Sequence, residues 1–306
     1  MRQRRFLPSI SMLLAFEAVV RSGSVTAAAH ELNLTQSTVS RLVQNLEQQI
    51  GCVLFLRRRK RLVPTEAALA YRDKIALGLD MIQRAGMGLI ANPGGGTLSL
   101  AVLPTFGTRW LAPRLSGFFD RNPGVSINLA TRVKRFVFDA EGFDAAIYFG
   151  EADWPGARHL KLFDERYTAC APRAFLDSHP IVRAEDLAAE PLLLLESRTT
   201  AWNDWFQGQG AAARPISGMV MDQFSMMIQS AISGFGIALL PDYLADLETR
   251  EDRLAPILTP SIPGAGSYWL AWPERNDPLA PLECFRDWLS GECRDFAAER
   301  SGEQSG

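Results

Sequence analysis

Apolar residues recur at helical spacing through the first fifty residues of the chain. Ile10, Leu13, Phe16 and Val20 share one face of a predicted first helix. The stretch "TAAAHELNLTQSTVSRLVQNLE", residues 26–47, then predicts two short helices, whose inward positions are Ala28, Ala29, Leu32, Leu34, Val39 and Leu42. This pattern predicts a helix-turn-helix.

Capping and turn residues lie where the two short helices should begin and end. Asn33 suits the turn because it tolerates left-handed backbone. The hydroxyl of Thr35 can cap the following helix, and Gly51 can end it. The outer face of that helix would then carry polar side chains from Gln36 to Gln44.

Such side chains can read base pairs, since Arg forms two hydrogen bonds with guanine, Gln pairs with adenine and Ser can bind either base. An ordinary amphipathic surface helix shows the same periodicity, so the flanking sequence matters. The segment "CVLFLRRRKRLVP", residues 52–64, predicts a strand, a basic turn and a strand, hence a wing against phosphates or the minor groove. The predicted DNA-binding residues are Thr35, Gln36, Ser37, Ser40, Arg41, Gln44, Arg57, Arg58, Arg59 and Arg61.

A long helix is predicted over residues 65–91, about 40 Å at about 1.5 Å per residue, with Thr65 as its cap. Its apolar stripe comprises Ala68, Ile75, Leu79, Ile82, Gly86 and Leu89. An antiparallel copy of the helix from a second subunit would cover this stripe; packing against its own domain is the alternative. The Gly-rich residues 92–96 are predicted to form a hinge.

From Thr97 onward, predicted strands alternate with predicted helices. The strands are "TLSLAVLP", "GVSINLAT", "FDAAIYFG", "PLLLLES", "IALLP" and "SYWLAWPE", and the clearest helices are "TRWLAPRLSGFFDRNP" and "QFSMMIQSAISGFG". This alternation predicts an α/β fold with a parallel sheet covered by helices on both faces. We expect two lobes with a ligand cleft between them, at the carboxyl ends of the strands.

Charge is distributed unevenly along the 306 residues, whose formal net charge is −2. Residues 1–92 hold 13 Lys/Arg against 6 Asp/Glu, and the remainder holds 19 against 28. A basic first third favours an N-terminal module that meets a polyanion. A hydrophobic content of 47% fits a globular protein with a real core.

The remaining composition argues against several other classes of protein. The four cysteines have no metal spacing, and His30, His159 and His179 lie far apart without an HExxH or GxSxG motif. We therefore expect that the protein is not an enzyme and that it binds no metal and no cofactor. The N-terminus loosely imitates a secretion signal, but Glu17 interrupts its apolar run, and no run of 18 apolar residues occurs. A cytoplasmic location and no membrane contact are expected.

The chain resembles the LysR-type transcriptional regulators over essentially its whole length. The resemblance lies in "FEAVVRSGSVTAAAHEL" followed by "TQSTVSR", and is supported by "GFGIALLP". The stretches "LPTFGTRWLAPRLSGFFDRNPGV" and "FDAAIYFG" look most like the subgroup that contains the glycine-cleavage activator. Two alternatives fit only part of the chain: a plain solute-binding protein lacks the N-terminal module, and an architectural DNA-binding protein leaves the C-terminal part unused.

The resemblance implies a winged helix-turn-helix domain (1–64), a dimerising linker helix (65–92) and an effector domain like the periplasmic binding proteins (93–306). Within the effector domain, lobe I would span about 97–166 and 267–300, and lobe II about 167–266. The implied partners are double-stranded DNA, a small-molecule effector and a homodimer through the linker helix that assembles into a homotetramer; contact with RNA polymerase is a further expectation.

The resemblance also implies that loops facing the cleft hold the effector. The residues predicted on this basis are Thr105, Phe106, Thr131, Tyr148, Phe149, Thr199, Thr200 and Phe224. Each has an alternative role, since the aromatic side chains can belong to the core and Thr131 can simply end a strand. Thr105 and the Thr199–Thr200 pair stand out because hydroxyls before a helix help to bind anions.

Overall fold

The structure is a computed structural model that describes residues 6–58, 61–91, 96–212 and 215–303. The chain forms two compact units. The first comprises residues 1–93 together with 139–142, and the second comprises residues 94–138 and 143–306.

The first unit consists of helices and one hairpin. Its elements are α1 (Ile10–Ser22), α2 (Val25–Glu31), α3 (Gln36–Ile50), β1 (Phe55–Arg58), β2 (Arg61–Pro64) and α4 (Glu66–Ala91). β1 and β2 pair antiparallel, and Phe55 lies opposite Pro64. Phe16 of α1, Val39 of α3 and Leu46 of α3 are fully buried in this unit. The predicted winged helix-turn-helix is therefore confirmed as a fold.

Helix α3 begins and ends at the residues that the sequence predicts, and the turn before it has the predicted conformation. The Thr35 hydroxyl accepts a hydrogen bond from the Thr38 amide at 3.2 Å, and Gly51 ends α3 with a φ of 68°. Asn33 has a φ of 53°, the left-handed conformation expected of the turn. Thr65 caps α4 by accepting from the Ala68 amide at 3.1 Å.

Two apolar positions differ from the prediction. Leu34 was expected to face inward but is 41% exposed, because it follows the left-handed turn and precedes the start of α3. Ala68 was expected in the intersubunit stripe of α4 but is buried in its own unit, in one cluster with Phe16, Leu46 and Leu54. The exposed apolar part of α4 includes Ile82, which is 54% exposed.

The second unit is an α/β fold. Its strands are β3 (Thr97–Val102), β4 (Ser126–Thr131), β5 (Ala145–Gly150), β6 (Ala157–Ala171), β7 (Leu192–Leu195), β8 (Gly218–Met221), β9 (Ala238–Pro241) and β10 (Ala255–Pro273). Its helices are α5 (Pro104–Phe106), α6 (Leu115–Arg121), α7 (Phe138–Glu141), α8 (Arg173–Ser178), α9 (Ala201–Gly208), α10 (Phe224–Ile232), α11 (Asp242–Arg250) and α12 (Ala280–Glu303). Residues 139–142, at the end of α7, group with the first unit.

The main sheet is mixed, which corrects the expectation of a parallel sheet. Its order is β4-β3-β5-β10-β6-β9, and β7 and β8 form a separate parallel pair. β3 pairs in parallel with β4 and β5, whereas β10 runs antiparallel to β5 and β6. The strands β6 and β10 are long, with 15 and 19 residues. β6 was not predicted because charged residues interrupt its apolar positions.

The second unit contains more than one apolar cluster. The largest includes Leu98, Leu100 and Phe106 with Phe285 of α12, and it extends to Leu193, Met221 and Phe224. In another, Trp202, Trp205 and Phe206 of α9 pack with Leu187 and Ile237. No helix in the described part of the chain is long and apolar enough to cross a membrane.

We predict that Leu46→Ala destabilises the first unit. The Leu46 side chain is 0% exposed, so truncation should leave a cavity and lower the free energy of unfolding by about 2–5 kcal/mol. Gln48→Ala, on the exposed face of the same helix, is the control and should change it by less than about 0.5 kcal/mol. Chemical denaturation of both variants checks this, and equal stabilities would contradict the burial of Leu46.

Candidate DNA-reading surface and candidate effector cavity

Helix α3 has two distinct faces. Val39, Val43 and Leu46 are buried on one of them. The other carries the predicted base-reading side chains, of which Gln36, Ser37, Arg41 and Gln44 are exposed and Ser40 is half-buried. This face is free to meet a large partner without disturbing the core.

Thr35 organises the first turn of α3. Besides capping Thr38, its hydroxyl is hydrogen bonded to the Ser37 hydroxyl at 2.9 Å and to the Thr38 hydroxyl at 2.8 Å. Thr35 is therefore bound to its own helix start, and it fixes the backbone from which Gln36 and Ser37 project.

Glu47 ties the hairpin to α3. Its carboxylate oxygen Oε1 accepts hydrogen bonds from the backbone amides of Leu54 at 2.7 Å and Phe55 at 3.0 Å. Those two amides belong to the chain just before and at the start of β1. This role of Glu47 was not predicted from the sequence. The position of an acid near the end of α3, shortly before a strand, was the signal that could have indicated it.

The predicted wing residues are only partly described. Arg57 and Arg58 lie on β1 and Arg61 lies on β2, where Arg58 is opposite Arg61. Arg59, like Lys60 beside it, lies outside the described residues.

The second unit contains a cavity of about 270 Å³. It lies at the ends of β3 and β5 and is completed by the segments that follow β4, β7 and β8. Five of the predicted effector residues line it: Thr105, Phe106, Tyr148, Phe149 and Phe224. The structure therefore brings these five side chains together around one space.

The other three predicted effector residues do not line the cavity. Thr131 is exposed at the end of β4, and the residues after it, Arg132 to Phe136, reach the cavity instead. Thr199 and Thr200 are exposed, and the Thr200 hydroxyl donates to Asp204 at 2.9 Å. Ser197 and Arg198 line the cavity in their place. The expected positions were thus one or two residues away from the nearest residues that line it.

Thr105 connects the chain after β3 to α10. It is 5% exposed, and its hydroxyl accepts a hydrogen bond from the Ser225 amide at 3.1 Å. Ser225 lies in the first turn of α10. One hydroxyl at the cavity wall therefore joins two segments of the chain and satisfies an amide at a helix start.

The aromatic residues of the wall are also packed into the core. The Phe106 ring stacks on Trp110 and Tyr268 with centroid distances of 5.0 and 5.3 Å. The Tyr148 hydroxyl donates to the Glu151 carbonyl at 2.7 Å, and burial raises the pKa of Tyr148 to about 12. Tyr148 is thus a neutral phenol near pH 7.

A buried carboxylate lies behind the cavity wall. Glu165 of β6 accepts hydrogen bonds from the Tyr268 hydroxyl at 2.7 Å and the Tyr167 hydroxyl at 2.5 Å. Arg198 contacts both of its oxygens, at 3.0 Å from Nε and 3.3 Å from Nη2. The Arg198 guanidinium also lies 3.3 Å from the centre of the Phe149 ring. The buried Glu165 and its partners were not predicted, although an acid within the apolar segment "FDERYTACA" was a signal in the sequence.

The ionisation of this group follows from its burial. Burial opposes the charge of Arg198, but attraction and hydrogen bonding by Glu165 outweigh it, so the pKa of Arg198 lies above its ordinary value. Burial raises the pKa of Tyr268 well above its usual range, and the negative charge of Glu165 adds to that shift. Arg198 and Glu165 therefore form an ion pair, with neutral tyrosines completing the carboxylate's hydrogen bonds.

A winged helix-turn-helix unit joined to a two-lobed α/β unit with an internal cavity defines a ligand-responsive DNA-binding regulator. The chain belongs to the LysR family. Residues 10–69 match the model of the bacterial regulatory helix-turn-helix protein, lysR family, and residues 91–294 match the LysR substrate binding domain. The resemblance seen in the sequence is confirmed, and this chain is a LysR-type DNA-binding transcriptional regulator with an effector-binding domain.

Similar proteins include two curated regulators. The HTH-type transcriptional activator AmpR of Rhodobacter capsulatus is 32% identical over 284 residues, 92% of this chain and 96% of that protein. The glycine cleavage system transcriptional activator of Escherichia coli (strain K12) is 31% identical over 285 residues, 92% and 93% of the two chains.

Two solved structures share the fold. The effector domain of AmpR of Pseudomonas aeruginosa matches with a TM-score of 0.61 and 29% identity, covering 67% of this chain and 98% of that one. Full-length CbnR complexed with its target DNA matches with a TM-score of 0.71 and 22% identity, covering 93% and 99%. As a member of this family, the protein binds DNA and a small-molecule effector and forms oligomers.

We predict that Glu47→Ala weakens DNA binding although it removes a negative charge. Without the carboxylate, the amides of Leu54 and Phe55 lose their acceptor and β1 is no longer fixed to α3. We expect affinity to fall about tenfold, the scale of one hydrogen bond to a charged group. Glu31→Ala, which removes an exposed acid, controls for charge and should not lower affinity. Titration of a labelled duplex measures both; equal effects would refute a positioning role for Glu47.

We predict that Arg198→Met destabilises the second unit strongly. The substitution leaves Glu165 buried with only two hydroxyl partners, so the free energy of unfolding should fall by about 3–5 kcal/mol. Arg158→Met is the control, since Arg158 is 53% exposed and pairs with acids at the surface. Chemical denaturation should show little change for the control, and a similar result for Arg198→Met would contradict the buried pair.

Proposed function

We propose that α3 reads the operator in the major groove. The observation that carries this proposal is the division of α3 into a buried face and an exposed face of Gln36, Ser37, Arg41 and Gln44. Ser40 lies between the two faces, and Thr35 holds the start of the helix while remaining exposed. A helix presents such residues to base edges from its N-terminal half.

We propose further that the wing adds affinity without sequence preference. Arg57, Arg58, Arg59 and Arg61 fall within or beside the β1–β2 hairpin, which Glu47 fixes to the reading helix. Cations at that position would neutralise phosphates and make binding dependent on salt.

Dimerisation through residues 65–92 is part of the same proposal. Ile82 is 54% exposed on α4, and Ile75 and Leu79 are half-buried, so this helix retains an apolar face that a second copy would cover. Two such dimers would give a tetramer with several reading heads. Functionally, residues 1–64 would read DNA, 65–92 join subunits and 93–306 hold the effector.

The cavity of the second unit is proposed as the effector site, with Thr105, Phe106, Tyr148, Phe149 and Phe224 as contacts. A ligand there would touch both of the segments that the Thr105–Ser225 hydrogen bond joins. A ligand that binds one arrangement of the lobes better than another shifts the population of the oligomer. Transcription, through contact with RNA polymerase, would follow that shift.

We also infer that the protein has no catalytic activity and acts in the cytoplasm. Its family consists of transcriptional regulators, and their target is the chromosome. The proposed effector contacts do not include Thr131, Thr199 and Thr200, because these residues do not line the cavity.

The test is selection of bound fragments from a random duplex library by the full-length protein. We expect Arg41→Ala and Gln36→Ala each to relax preference at particular base pairs, at a cost of about 1–3 kcal/mol where a bidentate contact is lost. Gln48→Ala is the matched control on α3 and should keep the wild-type profile. If Arg41→Ala selects the same sequences as wild type, Arg41 does not read bases.

A further inference from the structure

We propose that the effector is a small aromatic carboxylate. This proposal rests on the effector cavity proposed above and adds the chemical class of its ligand.

Positive side chains dominate the charged part of the cavity wall. Arg132, Lys134 and Arg135 follow β4 and line the cavity together, and Arg198 joins them from the segment after β7. Among the lining residues that the structure describes, Asp222 is the one acid. The lining side chains alone therefore carry an excess of positive charge.

The acids that pair with two of these cations lie outside the wall. Arg135 contacts Asp153 at 2.5 Å, and Arg198 contacts Glu165 at 3.0 Å, yet neither acid lines the cavity. Arg198 is also held by its contact with Phe149, so it shapes the wall rather than moving to meet a ligand. The exposed ammonium of Lys134, beside Arg132, is the cation best placed to adjust to an incoming anion.

Aromatic side chains form a large part of the rest of the wall, and the hydroxyls of two of its tyrosines are already hydrogen bonded within the protein. The Tyr148 hydroxyl is committed to the Glu151 carbonyl, and the Tyr268 hydroxyl to Glu165. Together with Phe106 and Phe224, these rings offer apolar surfaces to a ligand. Flat apolar groups pack against such surfaces in stacked or edge-on arrangements.

The volume limits the size of the ligand. About 270 Å³ is at the lower end of ligand cavities, which run from roughly 300 to 1,000 Å³. A single aromatic ring or fused ring system with one carboxylate suits this space. An inorganic anion would leave the aromatic wall unused, and a neutral aromatic would leave the exposed ammonium of Lys134 without an anion.

Isothermal titration of the full-length protein tests the proposal with matched acid and amide pairs. The probes are benzoate with benzamide, indole-3-acetate with indole-3-acetamide, and inorganic phosphate. We expect at least one acid to bind about tenfold more tightly than its amide, the scale of a charge-assisted hydrogen bond. Amides that bind as tightly as the acids, phosphate that binds as tightly, or no binding by either acid would overturn the proposal.

Substitution of a single cation locates the binding. Lys134→Met should weaken binding of the acid several-fold and leave binding of the amide unchanged. Lys74→Met makes the same chemical change on α4, outside the cavity, and should change neither. An acid whose affinity is the same in Lys134→Met as in wild type would contradict recognition by this wall.

Different results would contradict the proposed ligand class and the proposed effector cavity. A neutral aromatic that binds, and whose affinity falls in Thr105→Ala, would overturn the carboxylate and keep the cavity. An acid that binds wild type, Lys134→Met and Thr105→Ala equally would overturn both. Affinity for operator DNA without probe, measured on the same samples, reports on α3 separately from the cavity.

Discussion

The second unit depends on how the charge of Glu165 is balanced inside the protein. This carboxylate lies on β6, a long strand of the main sheet, and it has no contact with solvent. Arg198 and two tyrosine hydroxyls satisfy it, and Arg198 in turn lies against Phe149. A buried charge of this kind is tolerated only with complete partners, so the group fixes the segments around it in one arrangement. The back of the cavity is built on that arrangement.

In the first unit, the main requirement is that the exposed polar face of α3 is held rigidly. The core contacts of α3 lie on one face, through Val39, Val43 and Leu46. The cap at Thr35 fixes one end of the helix, and Glu47 joins its other end to the hairpin. Ser37 is hydrogen bonded to the Thr35 hydroxyl, whereas these interactions do not use the side chains of Gln36, Arg41 and Gln44. Rigidity and recognition are therefore supplied by different residues of the same fifteen-residue helix.

Local signals in the sequence predicted the cap, the turn and the end of α3 in the first unit, but not the role of Glu47 or the exposure of Leu34. Thr35, Asn33 and Gly51 act through bonds within a few residues, so their roles could be predicted from sequence. The cavity wall depends on which loops meet in space, and two of the predicted contacts, Thr131 and Thr199, are one residue away from the lining residues Arg132 and Arg198. Glu165 was missed because two of its partners, Arg198 and Tyr268, are 33 and 103 residues away in the chain.

Because different residues of α3 stabilise the fold and face outward, the DNA specificity of such a regulator can change during evolution with little loss of stability. Substitutions at Gln36, Ser37, Arg41 or Gln44 alter exposed side chains that contribute little to the core, so their cost in stability is small. A duplicated copy of the gene can therefore acquire a new operator by a few neutral steps while remaining folded. Positions such as Leu46 and Glu47 have no such freedom, and they define the scaffold on which new specificities arise.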